Sequence, residues 1–158
     1  MPQPISIHAI YCDDIRNEVG GKVSLMGVYH NEMLFPSFPA RSPKLGVRIV
    51  VRFPIGGLPR ETLSIEVLHE DGILGNMTFD RQALADIPVP SPKDATQVED
   101  QSLSMQVMFL FTPFQVKAPC KLESVVFVDG EEIQGNSLRI RLPDVDERAA
   151  NGWNLAGN

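Results

Sequence analysis

Three acidic side chains near the start of the chain, Asp13, Asp14 and Glu18, have the chemistry of a metal site. Calcium prefers oxygen ligands, and carboxylates supply them. Acidic turns at Asp71 and Asp129 would add ligands if they open at the same end of the fold. The spacing does not match the glycine and glutamate positions of the common calcium-binding loop. Binding of calcium or a small ligand by Asp13, Asp14 and Glu18 is therefore one of two hypotheses for this stretch.

The second hypothesis gives the same acidic stretch a structural role. Asp13 and Asp14 follow a predicted strand, where their carboxylates can accept hydrogen bonds from backbone amides and cap one helical turn, Ile15 to Val19. Gly20 and Gly21 would end that turn, because glycine adopts the left-handed conformation at little cost. Ordinary local physics then explains each unusual residue, so we favour a structural corner over a binding site.

Other catalytic and cofactor-binding patterns are missing from the sequence. His8, His30 and His69 are far apart in sequence, so a zinc site would require the fold to bring them together. There is no G-x-S-x-G motif, and neither Cys12 nor Cys120 lies in a recognisable catalytic setting. The glycine pairs lack the spacing of phosphate-binding loops. The sequence predicts a protein that is not an enzyme and holds no cofactor.

Arginines on two predicted strands suggest a binding surface. Arg48 and Arg52 share the polar face of one strand. Arg139 and Arg141 share the polar face of another. Together they would form a basic strip for an acidic partner, since arginine binds carboxylates and phosphates with paired hydrogen bonds. The alternative, which we favour, is that these arginines pair across strands with acidic residues such as Glu66.

Composition limits the class of protein. A chain of 158 residues with 43% apolar content matches one globular domain. A net charge of -6 opposes binding to nucleic acid and to anionic membranes, and no apolar run is long enough to span a bilayer. The first ten residues lack the features of a secretory signal, so we expect a cytoplasmic protein in which Cys12 and Cys120 are both reduced.

Hydrophobic residues alternate with a period of two along most of the chain, which predicts β-strands. In Leu45 to Phe53 every second residue is apolar, and Arg48 and Arg52 lie between. Similar segments predict about eight strands, and Glu32 to Phe35 adds a short further one. The predicted strands are Ile5–Cys12, Val23–His30, Leu45–Phe53, Leu63–His69, Ile73–Phe79, Leu103–Phe111, Leu122–Asp129 and Ser137–Leu142.

The pattern of connections predicts an antiparallel β-sandwich, immunoglobulin-like or C2-like in appearance, with a closed β-barrel as the alternative. Asp71-Gly72 and Asp129-Gly130 are typical of type I′ hairpins. Helical signal is confined to Asp80–Ile87. Residues 1–143 form a single domain in this interpretation. Residues 144–158 form a polar C-terminal tail that we expect to be flexible. The long, proline-rich connection Ile87–Ser102 is expected to be either flexible or functional.

The stretch from Cys12 to Tyr29, "CDDIRNEVGGK" followed by "VSLMGVY", resembles the N-terminal signature of a family of small, uncharacterised bacterial proteins described as a domain of unknown function. The matching residues are Asp13, Asp14, Arg16, Gly21, Lys22 and Gly27. The resemblance implies a bacterial origin, and no activity, cofactor or catalytic residue.

Two functional hypotheses follow. The first is a non-catalytic β-sandwich in a bacterial cytoplasm that binds another protein or assembles with itself, using the edges of its sheets, because sheet edges carry unpaired backbone groups. The second is a calcium-binding or small-ligand-binding domain that uses the acidic residues Asp13, Asp14 and Glu18.

Overall fold

The computed structural model describes residues 4–89 and 102–152. Most of the long connection Ile87–Ser102 and the end of the tail, residues 153–158, therefore lie outside the described residues. Within these ranges the protein is an all-β sandwich of two large sheets and contains no closed barrel. The predicted fold class is confirmed.

One large sheet has four strands, each antiparallel to its neighbour. In spatial order they are β2 (Lys22–Tyr29), β1 (Ser6–Glu18), β5 (Leu45–Pro54) and β8 (Ser102–Phe111).

The second large sheet has five strands, which are antiparallel except for one parallel pair at its edge. In spatial order they are β3 (Glu32–Leu34), β11 (Glu131–Arg141), β10 (Cys120–Val128), β6 (Leu63–His69) and β7 (Gly72–Phe79). A separate two-stranded sheet pairs β4 (Ala40–Ser42) with β9 (Phe114–Val116). Two short helices complete the described residues, α1 (Arg81–Ala85) and α2 (Val145–Ala150).

All of the predicted strands are present, and α1 begins after Asp80, whose carboxylate accepts a hydrogen bond from Ala83 N. The strands β4 and β9 were not predicted, because each has only three residues, too few for an alternating pattern to be recognised. The segment that follows residue 143 contains α2, which has a capping box between Asp144 and Glu147. Flexibility of this tail stays a prediction.

The core lies between the two large sheets. The five apolar residues of β5 from Leu45 to Phe53 are fully buried, as their alternation predicts. Residues from β6, β10 and β11 face them, including Ile65, Leu122 and Ile140. Each large aliphatic side chain removed from water in this way contributes about 1.5–3 kcal/mol. β10 lies at the middle of its sheet, and residues on both of its faces are buried, such as Val125 and Val126.

The two predicted hairpins form, but with different turns. At the β10–β11 turn Asp129 and Gly130 have φ of 50° and 87°, as a type I′ turn requires. The Asp129 carboxylate also accepts hydrogen bonds from the amides of Arg60, Glu61 and Thr62. At the β6–β7 turn His69 pairs with Gly72, and Asp71 does not have a positive φ. The type I′ prediction is therefore wrong for Asp71-Gly72, because a positive φ at both central residues is needed.

One asparagine joins the two large sheets. β2 pairs with β1 only from Tyr11 onward, so Ala9 has no strand neighbour on that edge. The Asn136 carboxamide takes that place: its Oδ1 accepts from Ala9 N at 2.7 Å, and its Nδ2 donates to Ala9 O at 2.7 Å. The carbonyl oxygen of Asn136 accepts hydrogen bonds from the hydroxyls of Tyr11 and Ser124.

A β-bulge aims Asn136 at the other sheet. The register between β10 and β11 shifts between Glu123 and Val125, which places an extra residue in β11. Such bulges turn a side chain out of the regular alternation of the strand. Gly135 fits there because any side chain would overlap with Ser124 Oγ and Ile7. The bulge and its glycine together position the carboxamide against Ala9 at the margin of the sandwich, where Asn136 itself stays exposed.

Asn136→Ala should destabilise the protein by about 2–4 kcal/mol, since two partly buried backbone groups of Ala9 lose their partners. Gln134→Ala is the matched control, because Gln134 lies two residues away on β11 and donates only to the exposed Glu132. It should change the free energy of unfolding by less than about 0.5 kcal/mol. Urea unfolding of both variants measures the difference. Equal losses would show that the hydrogen bonds between the carboxamide and Ala9 contribute nothing measurable to stability.

Candidate functional site

The acidic stretch that begins at Asp13 is part of a strand and not a corner. β1 continues to Glu18, which pairs with Lys22 of β2. The predicted helical turn from Ile15 to Val19 is therefore wrong. Gly20 and Gly21 have φ of 82° and 72° and close a β-hairpin instead. β1 and β2 pair through seven residue pairs in one continuous register. This strand pairing is more favourable than the hydrogen bonds from aspartate side chains to nearby amides on which the helical prediction was based.

Asp13 is held by β2. Its carboxylate accepts a hydrogen bond from the Tyr29 hydroxyl and lies over Gly27, which has φ of 66°. An added Cβ at Gly27 would overlap with that carboxylate. Burial, and then the neighbouring Asp13 carboxylate, raise the pKa of the Tyr29 hydroxyl, which therefore stays protonated and donates.

Asp14 points to the other face of the hairpin, where it pairs with cations. Arg16 Nε lies 3.2 Å from its carboxylate and Lys44 Nζ lies 3.4 Å away. The Arg16 hydrogen bond, followed by Lys44, holds the pKa of Asp14 below its usual value. Glu18 lies at the end of the same strand. The structure thus gives Asp13 and Asp14 separate partners on opposite faces, and does not bring the three carboxylates together.

The described residues contain no group of three or more histidine, cysteine, aspartate or glutamate side chains arranged to hold a metal ion. His8 lies on β1 and His30 follows β2 in the four-stranded sheet, whereas His69 ends β6 in the other sheet. The calcium hypothesis is left without geometric support from Asp13, Asp14 and Glu18.

The four arginines do not form one strip. Arg48 and Arg52 lie on β5 of the four-stranded sheet, and Arg139 and Arg141 lie on β11 of the five-stranded sheet. The sequence reveals which residues share a face of one strand but not which strands share a sheet, so a joint strip could not be tested from it. Arg48 donates to Gln106 Oε1 at 2.9 and 3.1 Å, and Arg52 Nε lies 3.4 Å from Ser104 Oγ.

Arg141 is the centre of an ion-pair cluster. Its guanidinium lies 2.6 Å from Glu32 of β3 and 2.7 Å from Glu147 of α2. Arg139 adds a longer contact of 3.9 Å to Glu32. The predicted pairing of arginine with acidic residues across strands is correct here, although Glu66 is not involved and instead accepts from Asn76. The cluster fixes an edge strand and a helix to β11.

Neither cysteine is poised for nucleophilic chemistry. Cys12 and Cys120 are both free and buried. Burial is the main reason that the pKa of both thiols is raised. The carboxylate of Asp13 raises the pKa of Cys12 further, and that of Glu70 does the same for Cys120. The thiol form is therefore favoured over the reactive thiolate.

A cavity of about 590 Å³ opens where the β4–β9 pair meets the β6–β7 hairpin. Cationic side chains (Arg41 and Lys117), the imidazole of His69 and apolar groups such as Phe114 line it. Sequence reasoning did not find it, because its walls come from three separate segments and contain no motif.

The model of a protein family of unknown function (DUF6941) matches residues 7–141, which extend from the start of β1 to the end of β11. The chain belongs to this family. The resemblance inferred from the stretch Cys12–Tyr29 is confirmed as far as the family is concerned, and bacterial origin stays a prediction. No curated protein matches the chain. The described helices are only five and six residues long, and none is long and apolar enough to cross a membrane.

The residues of the stretch Cys12–Tyr29 have structural roles in the hairpin. Gly27 leaves the space that Asp13 occupies beside Tyr29, Arg16 pairs with Asp14, and Gly21 takes a left-handed conformation in the turn. These residues build the β1–β2 hairpin.

Gly27→Ala should destabilise the protein more than Gly20→Ala by about 1 kcal/mol. Both substitutions place alanine at a positive φ, which costs about 1–2 kcal/mol. A methyl group at Gly20 meets open space, whereas at Gly27 it displaces Asp13 from Tyr29. Urea unfolding compares the two. Tyr29→Phe should lower the free energy of unfolding of the natural protein but not that of Gly27→Ala, in which the hydrogen bond to Asp13 is already lost. If the two substitutions instead lower it additively, this explanation is wrong.

Acid should weaken the Arg141 cluster. Hydrogen bonding to Arg141 lowers the pKa of Glu147 to about 2 and lowers the pKa of Glu32, so both are below the unfolded value of about 4.3. Their stabilising contribution is complete above the unfolded pKa and is lost as the pH falls through the folded pKa. The difference in unfolding free energy between the natural protein and Arg141→Gln should therefore shrink from about pH 5 to about pH 2.

Arg48→Gln is the control for this titration, because the partner of Arg48 is the uncharged Gln106. Its effect should not depend on pH over the same range. Urea unfolding at several pH values checks both variants, and a constant effect of Arg141→Gln would exclude a contribution from these ion pairs.

Proposed function

We propose that this protein is a non-catalytic module that assembles with a second copy of itself through the open edge of β2. The observation that carries the proposal is the length of the β1–β2 hairpin. Pairing between β1 and β5 ends at Cys12 and Gly46, whereas pairing between β1 and β2 continues to Glu18 and Lys22. The outer part of the hairpin is therefore a two-stranded arm, and such ribbons are marginally stable alone.

The backbone of β2 supports this proposal. Its outer edge has no hydrogen-bond partner within residues 4–89 and 102–152. An unpaired strand edge is a template for another strand. Antiparallel pairing of two β2 strands would join two four-stranded sheets into one continuous sheet, which is a closed two-fold arrangement.

The side chains of β2 also suit a partner. Met26 and Val28 are 47% and 49% exposed, and Val19 at the tip of the hairpin is 93% exposed. Lys22 is the only charged residue in the strand and lies at its start. In an antiparallel pair centred on β2, the two lysines lie at opposite ends and do not repel each other.

The edge strands of the five-stranded sheet, β3 and β7, have protection that β2 lacks. β3 has three residues and is flanked by the charges of the Arg141 cluster. β7 pairs with β6 through a register shift between Val67 and Leu68, and bulges of this kind discourage further pairing. Phe109 and Phe111 of β8 also lie against Gly75 of β7.

The proposal includes a bacterial cytoplasmic location and no catalytic activity. Two free, buried cysteines fit a reducing compartment, where disulfides are rare. The raised thiol pKa values and the separate partners of the acidic residues support a binding role over a catalytic one.

The double variant Met26→Lys/Val28→Lys should convert a dimer into a monomer, because charges on an edge strand block the addition of another strand. Ile73→Lys/Met77→Lys is the matched control, since it places the same charges on exposed apolar residues of the edge strand β7. Size-exclusion chromatography with light scattering measures the mass of each protein.

Self-association is wrong if the natural protein is monomeric at every concentration tested. If the β7 variant dissociates and the β2 variant does not, the protein assembles but the assigned edge is wrong.

A further inference from the structure

The cavity between the β4–β9 pair and the β6–β7 hairpin has the dimensions of a small-molecule site. Its volume of about 590 Å³ falls within the range of roughly 300–1,000 Å³ found for ligand pockets. It is lined by strands other than β1 and β2, so it is separate from the proposed assembly edge.

One part of the lining is cationic. Arg41 and Lys117 both line the cavity, and neither forms an ion pair with any residue in the described part of the chain. Asp71 is the acidic residue of the lining, and its side chain is 78% exposed to solvent. In a chain with a net charge of -6, this lining has a local excess of positive charge.

His69 also lines the cavity, but its unpaired ring nitrogen is buried behind the wall. Asp71 N donates to His69 Nδ1 at 3.2 Å, so the neutral imidazole carries its proton on Nε2. His69 Nε2 is buried and has no hydrogen-bond partner among the described residues. A buried donor without an acceptor is unfavourable, and native proteins leave few of them.

The remaining lining is apolar. Ile73 of β7 is 60% exposed and forms the accessible apolar wall together with Leu74, whereas Phe114 and Val116 are 1% and 2% exposed and only close its base. The cavity thus combines an apolar wall with basic side chains, a composition that can hold both the apolar body and the anionic head of a ligand.

We propose that this cavity binds a small amphipathic oxyanion, a carboxylate or a phosphate carried on a short apolar body. Arg41 and Lys117 bind the anionic group, since arginine and lysine are the usual partners of carboxylates and phosphates. The apolar body lies against Ile73 and Leu74. This binding does not depend on self-association through β2.

Titration of the protein with octanoate and with octyl phosphate, each below its micelle-forming concentration, tests the proposal. Amide resonances followed by two-dimensional NMR should move and saturate in residues 40–41, 69–74 and 114–117. The stronger of the two ligands identifies the anionic group. Acetate and inorganic phosphate, which lack the apolar body, should bind at least about tenfold more weakly.

Arg41→Gln/Lys117→Gln should weaken binding of the preferred ligand by about tenfold or more. Arg52→Gln/Arg60→Gln is the matched control, because it removes two positive charges that do not line the cavity. It should leave the affinity unchanged.

Three results would overturn the proposal. The first is the lack of a saturable shift in the cavity with either octyl ligand. The second is an equal loss of affinity in the control variant, which would point to general charge attraction. The third is equal binding of inorganic phosphate and octyl phosphate, which would remove the apolar body from the ligand.

Discussion

The Asn136 carboxamide joins the two large sheets at the point where the edge of β1 becomes open. Ala9 is bound on one side by β5, and the side that β2 does not reach is satisfied by Asn136. An amide side chain can replace a strand here because it presents one donor and one acceptor, as a backbone peptide does. The bulge in β11, Gly135 and the hydroxyl of Ser124 are all arranged around this contact. Because the contact satisfies the inner part of β1, the rest of that strand can continue past the sandwich as an arm.

The arm and the cavity are connected through one short segment. β4 lines the cavity, and Ser42 at its end donates to Lys44 O. The Lys44 ammonium then pairs with Asp14 on the arm, while Ile15 of the arm lies over Gly46 at the start of β5. The two surfaces with proposed binding roles are therefore at the same end of the sandwich. The opposite edge of the five-stranded sheet is fixed by the Arg141 cluster and α2.

The sequence predicted those features that depend on neighbouring residues within one strand. Alternation in Leu45–Phe53 and Leu63–His69 identified the core faces correctly, because a strand repeats every two residues. The prediction failed where a residue's partner is distant in sequence. Asp13 and Asp14 have the composition of a cap, yet Gly27, Tyr29 and Lys44 decide their conformation. Arg48 and Arg141 look equivalent on their strands but belong to different sheets. The walls of the cavity also meet only in three dimensions, so no local pattern marks Arg41 or Lys117.

The contact between Ala9 and Asn136 has a consequence for biosynthesis. The two residues are 127 positions apart, so β1 emerges from the ribosome long before its inter-sheet partner exists. During translation the edge of β1 at Ala9 stays unsatisfied until nearly the whole domain has been made. Folds that depend on such distant contacts form slowly, and their exposed strand edges are prone to aggregate in the meantime. The inter-sheet contact of β1 can therefore form only after β11 has been synthesised.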